Sequence, residues 1–255
     1  MIFNNKTYSI KNKSVLLAVQ NRLLIMKQHT RFYLLALAIL VLASCNEKSS
    51  KNTSRTGTIE YSIQFKENNE SKVNTSMLPN RITIKFRNNS TSNKIEGLSG
   101  SVNLTFINNV EEKSSIVLVN LWSKKLYFKD SSLNKNLPNP YAGMSDISIE
   151  KTDEIVRFNG FNCKKAIAHY KDSSDYSFDI LYTNEICIAN PNANTPFESI
   201  DGVMLKFNIK LKKYLMSITS TSVKFEEVSV DEFTVPSGYE KVSKRTIEDL
   251  VFLMQ

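Results

Sequence analysis

The sequence predicts a mainly β protein built from antiparallel strands. Three observations carry this: apolar residues recur with period two, short polar clusters separate the apolar runs, and helical spacing is scarce. Ile59, Tyr61, Ile63 and Phe65 alternate with Thr58, Glu60, Ser62 and Gln64. Ile82, Ile84 and Phe86 alternate with Arg81, Thr83, Lys85 and Arg87, and Val102, Leu104 and Phe106 alternate with Ser101, Asn103 and Thr105. The pattern returns at Phe178, Ile180 and Tyr182, at Val203, Leu205, Phe207 and Ile209, and at Tyr214, Met216 and Ile218. Strict alternation describes a strand that is wet on one face and dry on the other. Val117, Val119 and Leu121 interleave with Ile116 and Leu118, so that strand is expected to be covered on both faces.

Polar clusters at Lys66–Ser71, Asn88–Asn93, Asn108–Lys113 and Lys171–Asp175 have the composition of hairpin connections. Ser131–Gly143, with Pro138 and Pro140, and Asn190–Ser199, with Pro191 and Pro196, read as longer irregular loops, the kind that often binds. Arg245–Met254 places Ile247, Leu250, Val251 and Met254 at helical spacing and predicts a short amphipathic helix.

The address is written at the other end. Leu42-Ala43-Ser44-Cys45 closes an apolar run that Lys27 and Arg31 precede, and it resembles the lipobox of bacterial lipoprotein signal peptides. Phe32–Ser44 has thirteen residues, short of the roughly 20 that span a bilayer. The resemblance implies cleavage before Cys45 and attachment of diacylglyceryl and acyl chains to that cysteine, which anchor the chain to a membrane. Residues 1–45 are then a signal with an upstream extension, Met26 being the expected start; an authentic long n-region is the competing view. Residues 46–56 read as a polar tether, 57–242 as the folded domain, and 243–255 as a short helix or tail. Asn46 after the cysteine is not Asp, so the expected location is the outer membrane, facing the periplasm.

That cut changes the charge balance. The first 45 residues hold six of the 33 Lys and Arg and none of the 25 Asp and Glu, so a chain at +8 leaves a remainder near +2. Nucleic-acid binding, which needs clustered cations on one face, loses its support.

Several weak motifs occur in a telling order: Gly57-Thr58-Ile59-Glu60-Tyr61, Gly160-Phe161-Asn162-Cys163-Lys164-Lys165-Ala166, Leu181-Tyr182-Thr183-Asn184-Glu185-Ile186, Ile200-Asp201-Gly202-Val203-Met204-Leu205 and Asp231–Tyr239. Together they resemble the lipoprotein-carrier-like (LolA/LppX-like) half-barrel proteins of Bacteroidetes type, including GLPGLI-related families. Glu198–Val203 stands where those families carry their hexapeptide. The resemblance implies a curved antiparallel sheet forming an unclosed half-barrel with few short helices and an apolar concave cavity.

Catalytic arrangements are thin. His29 leaves with the signal, so any histidine site rests on His169, which alternates within Cys163–Tyr170 as a surface or packed strand residue. Gly97-Leu98-Ser99-Gly100 is one residue short of a nucleophile elbow, and HExxH and P-loop patterns are absent. One histidine and two scattered cysteines make no metal site, and no cofactor motif is present. Glu111-Glu112 and Glu226-Glu227 are adjacent acids that point to opposite faces of a strand and read as solvated charge. In an oxidising envelope the remaining pair, Cys163 and Cys187, is compatible with a disulfide; two buried thiols is the alternative. The inward-facing Ile59, Tyr61, Ile63, Ile82, Ile84, Phe86, Val102, Leu104 and Phe106 either fill a core or line a groove for an acyl chain or similar lipid. The expected function is non-enzymatic: binding or shielding a lipid-like ligand, with docking of another envelope protein as the alternative.

Overall fold

The computed structural model describes residues 55–66, 78–97, 100–131, 146–172, 176–211 and 214–253, together with Leu137, Tyr141, Gly143 and Met144. The chain divides into two compact units, Met1–Lys51 and Asn52–Gln255. The first unit, with Leu42, Ala43, Ser44 and Cys45 of the expected signal, lies outside the described residues, as does the tether up to residue 54.

The second unit is one sheet. Its strands are β1 (Thr56–Lys66), β2 (Arg81–Arg87), β3 (Ser90–Gly97), β4 (Val102–Asn109), β5 (Ser114–Leu121), β6 (Lys124–Asp130), β7 (Ile147–Phe158), β8 (Phe161–Tyr170), β9 (Ser177–Thr183), β10 (Val203–Leu211), β11 (Tyr214–Lys224) and β12 (Glu240–Lys241). A 3-10 turn (Val230–Phe233) precedes β12, and helix α1 (Lys244–Leu253) follows it. The order across the sheet is β12-β6-β5-β4-β3-β2-β1-β11-β10-β9-β8-β7. All neighbours are antiparallel except the short β12, which runs parallel to β6. The end strands β7 and β12 do not pair with each other, so the sheet stays open as a half-barrel.

Register explains the alternating sequence. Tyr61, Ile82, Ile95, Leu104, Val119 and Leu126 sit side by side across six strands, and Ile59, Ile84, Asn93, Phe106, Val117 and Phe128 form the next row. Both rows face the same way, the inner face of the half-barrel. Towards β8–β11 that face packs into the main core, where Ile59, Tyr61, Ile63 and Phe86 meet Ile180, Tyr182, Phe207 and Ile218. Towards β4–β6 it carries Leu104, Val117 and Val119, which α1 covers with Ile247 and Val251. The helix starts where Ser243 Oγ accepts from Thr246 N at 3.1 Å, an N-cap that satisfies one of its free donors.

The outer face of the same strands is covered too. Ile107, Ile116 and Leu118 pack against Val228 and Phe233 from the segment after β11. Residues Ser114–Val119 of β5 are therefore buried without interruption, coated on both sides as its continuous apolar run predicts.

Strands β3, β6, β7 and the short β12 depart from expectation. The connection read as Asn88–Asn93 is only Asn88-Asn89, both at positive φ (47° and 71°), and Ser90–Asn93 belong to β3. Ser90 and Ser92 are buried there, so a polar string serves as a strand. Strand β7 was also unforeseen; it is an edge strand with charges on both faces and a register shift between Lys151 and Ile155. At the β5–β6 hairpin, a two-residue connection places Trp122 at φ 49°. Of the seven non-glycine residues at positive φ among the described residues, five are asparagine, the side chain that tolerates this region best; Trp122 is the bulkiest exception.

Candidate functional site

The half-barrel's inner face is plugged at both ends, by a connection at one and by a helix at the other. At the β8–β11 end, the connection from β9 to β10 turns inward and inserts Ile186, Phe197 and Ile200 into the main core. Phe197 is fully buried, with ring centroids 5.5 Å from Phe207 and 6.0 Å from Tyr141. Asn192 locks this connection: its Nδ2 donates to the carbonyls of Ile200 at 2.8 Å and Gly202 at 2.9 Å. At the other end α1 serves as the plug. The connection between β6 and β7 touches both, since Leu137 packs with the helix cluster while Tyr141 and Met144 pack with the main core.

Between the plugs lies an incompletely covered stripe on β2, β3 and β4. Ile82, Ile84, Ile95 and Phe106 are half-buried there. Asn93, placed by register between Ile84 and Phe106, has a buried Oδ1 with no donor among the described residues. A buried acceptor left unpaired within an apolar surface is costly and calls for an explanation.

The nine residues expected to line a cavity are thus divided. Ile59, Tyr61, Ile63 and Phe86 are packed core; Leu104 lies beneath α1; Ile82, Ile84 and Phe106 belong to the stripe; Val102 is half-buried at the start of β4. Ile95 and Asn93 were missed because β3 was not recognised. The weak alternation Lys94-Ile95-Glu96 is the one trace of it in the sequence.

Burial dominates the electrostatics of the core. Tyr61 and Tyr170 have hydroxyls pushed well above the usual range by desolvation, and Tyr141 is pushed up to about 12 for the same reason. Tyr61 and Tyr170 have partners: Tyr61 donates to Met204 O at 3.0 Å, and Tyr170 Oη accepts from Lys210 N at 2.7 Å. These are structural hydrogen bonds, not poised acids or bases.

Cys163 and Cys187 are both free thiols, so the candidate disulfide is not formed in this structure. The reason lies in the register. Lys164 pairs with Tyr182, which sets Cys163 beside Thr183, four residues short of Cys187. Burial raises the Cys163 thiol to about 11. His169 is exposed on β8, opposite Ser148 and Ser177. Among the described residues no group of three or more His, Cys, Asp or Glu is placed to hold a metal, and no helix is long and apolar enough to cross a membrane.

Two clefts lie away from the stripe. One, of about 470 Å³, sits on the outer face between β2–β5 and the 231–239 segment, with Ser92, Thr105, Lys94 and Glu232 among its walls. The Lys85–Glu232 ion pair, at 2.6 Å, ties that segment down. The other, of about 360 Å³, includes Lys66, Tyr176, Asp179 and Asn208. None of the nine expected cavity residues lines either cleft.

No protein-family model matches the sequence, and no curated protein matches it. Two of the solved structures that are similar to the chain illustrate how distant the likeness is. One is PNGF-II, at 17% identity and a TM-score of 0.45, over 78% of this chain and 33% of that one; this chain spans about a third of PNGF-II. The other is LprF from Mycobacterium bovis, at 11% identity and a TM-score of 0.29, over 75% of this chain and 95% of that one. Overlays this distant transfer neither residues nor activity, so the functional reading rests on this chain's own geometry.

Proposed function

We propose that the protein is a non-enzymatic envelope lipoprotein whose half-barrel holds or shields a lipid-like ligand along the inner stripe. The observation that carries this reading is the unpaired Asn93 Oδ1 within the stripe of Ile82, Ile84, Ile95 and Phe106. Hydrocarbon chains suit the isoleucines and phenylalanine. A hydroxyl, amide or ammonium at the ligand's polar end suits the orphan acceptor. The lipobox-like Leu42–Cys45 supports the envelope part of this reading: an acylated Cys45 would hold the domain at the outer membrane, facing the periplasm, where lipid is abundant.

Organic extraction of the full-length protein purified from bacterial envelopes, followed by lipid mass spectrometry, tests the reading. The expected result is a co-purifying lipid that bears a hydrogen-bond donor and is depleted in Asn93→Leu. A protein free of lipid overturns it.

A second reading, docking of an envelope protein, is favoured by β7. This twelve-residue strand has one backbone edge that no strand among the described residues pairs, and it exposes Ile155 at 59%. Such an edge is a template for strand addition. Lys151→Pro, at a position whose N–H points away from β8, supports it if it abolishes cross-linking to a partner, and an unchanged cross-linking pattern counts against it.

A further inference from the structure

We propose that the β5–β6 hairpin tip, Trp122 with Lys124 and Lys125, is a second bilayer contact that orients the tethered domain on anionic lipid. The inference rests on the reading of Cys45 as an acyl anchor and adds to it a site on the folded body. Trp122 is 69% exposed, and it holds a positive φ where glycine or asparagine would sit without strain. A bulky side chain kept in such a conformation and offered to solvent points to a use outside the fold.

Its neighbours define the partner. Lys124 and Lys125 are exposed and make no ion pair among the described residues. At the other end of the β4–β5 ladder, the turn carries Glu111 and Glu112 instead. An indole seated at headgroup depth with lysines reaching for phosphate is the chemistry of a membrane interface, and each such lysine is drawn to anionic lipid. Alone the contact would be weak, but a tethered domain meets the surface at high local concentration, so weak contacts suffice.

The geometry permits it. Thr56 enters the sheet at the end opposite Trp122. The tip is about 24 Å along the strands and about 19 Å across them, at roughly 3.4 Å per residue and 4.8 Å per strand. Eleven residues from Cys45 to Thr56 reach about 36–40 Å when extended, longer than the diagonal of about 31 Å.

Trp122 is the chain's single tryptophan, so its emission reports on this site alone. The full-length protein from bacterial envelopes is reconstituted into phosphatidylethanolamine–phosphatidylglycerol vesicles, with and without brominated acyl chains. The expected result is blue-shifted emission, quenched by the brominated lipid, with both effects lost in Lys124→Glu/Lys125→Glu. Water-like emission without quenching overturns the proposal, as does quenching that the double variant leaves unchanged. The anchor is read separately, from the mass of the Cys45 peptide. An unmodified Cys45 sinks the lipoprotein reading, while quenching on added vesicles still decides the tip.

Discussion

The Tyr61 hydroxyl donates to the Met204 carbonyl at 3.0 Å across 143 residues of sequence, reaching from β1 past β11 to β10. Flat strands two places apart would lie about 9.6 Å from one another, a gap that the Tyr61 side chain and its hydrogen bond bridge over β11. Tyr61→Phe keeps the ring and leaves a buried carbonyl unpaired. We expect a loss of about 1–2 kcal/mol of stability, measured by urea unfolding with the slope unchanged.

The buried tyrosines give the protein an alkaline limit. Tyr141 titrates near 12 when folded and near 10 when unfolded, and Tyr61 is raised in the same direction. Between these values the unfolded state has already lost its proton while the folded state keeps it, so stability falls as pH rises. Thermal melts should show a midpoint that declines as pH rises from 10 towards 12. Tyr141→Phe should make the decline shallower.

The inner plug depends on one amide. Asn192→Leu removes the donor for both the Ile200 and Gly202 carbonyls, with an expected loss of about 2–4 kcal/mol. Phe197→Ala, which empties the site that amide holds in place, should lose about 3–5 kcal/mol. Urea midpoints of the two variants check both values.

How much of this was legible beforehand follows from which forces were local. Strands β1, β2, β4 and β5 announced themselves because each buries one face, or in β5 both, with large apolar side chains. Strand β3 did not, because Ser92 buries a small polar group and Asn93 interrupts the apolar row. Strand β7 packs Ile147, Ile149, Val156 and Phe158 against the main core, but the irregularity between Lys151 and Ile155 breaks their alternation. The β9–β10 connection has no periodicity at all; Phe197 and Ile200 are buried because tertiary packing places them there. Of the stripe, Ile82, Ile84 and Phe106 were found and Ile95 and Asn93 were not.

Thiol chemistry should separate the cysteines. Cys163 is buried with a raised pKa, whereas Cys187 is half-exposed. Native alkylation at neutral pH should label Cys187 and spare Cys163, and both should react after unfolding without reductant. Peptide mass mapping reads the result, and a peptide pair linked by disulfide contradicts the free-thiol arrangement.

Trp122 should prove expensive to keep. Replacing it with asparagine or glycine relieves a strained backbone at an exposed site, so the soluble protein should gain up to about 1 kcal/mol. Chemical unfolding of Trp122→Asn, followed by far-ultraviolet circular dichroism, tests this.

Both coats of β5 come from the chain's last thirty residues: Val228 and Phe233 on one side, Ile247 and Val251 on the other. A product clipped after Lys224 would keep every rung of the β4–β5–β6 ladder while baring grease above and below it. A nick anywhere between β11 and α1 thus does more damage than the bonds it breaks, because it turns the middle of the sheet into a sticky surface.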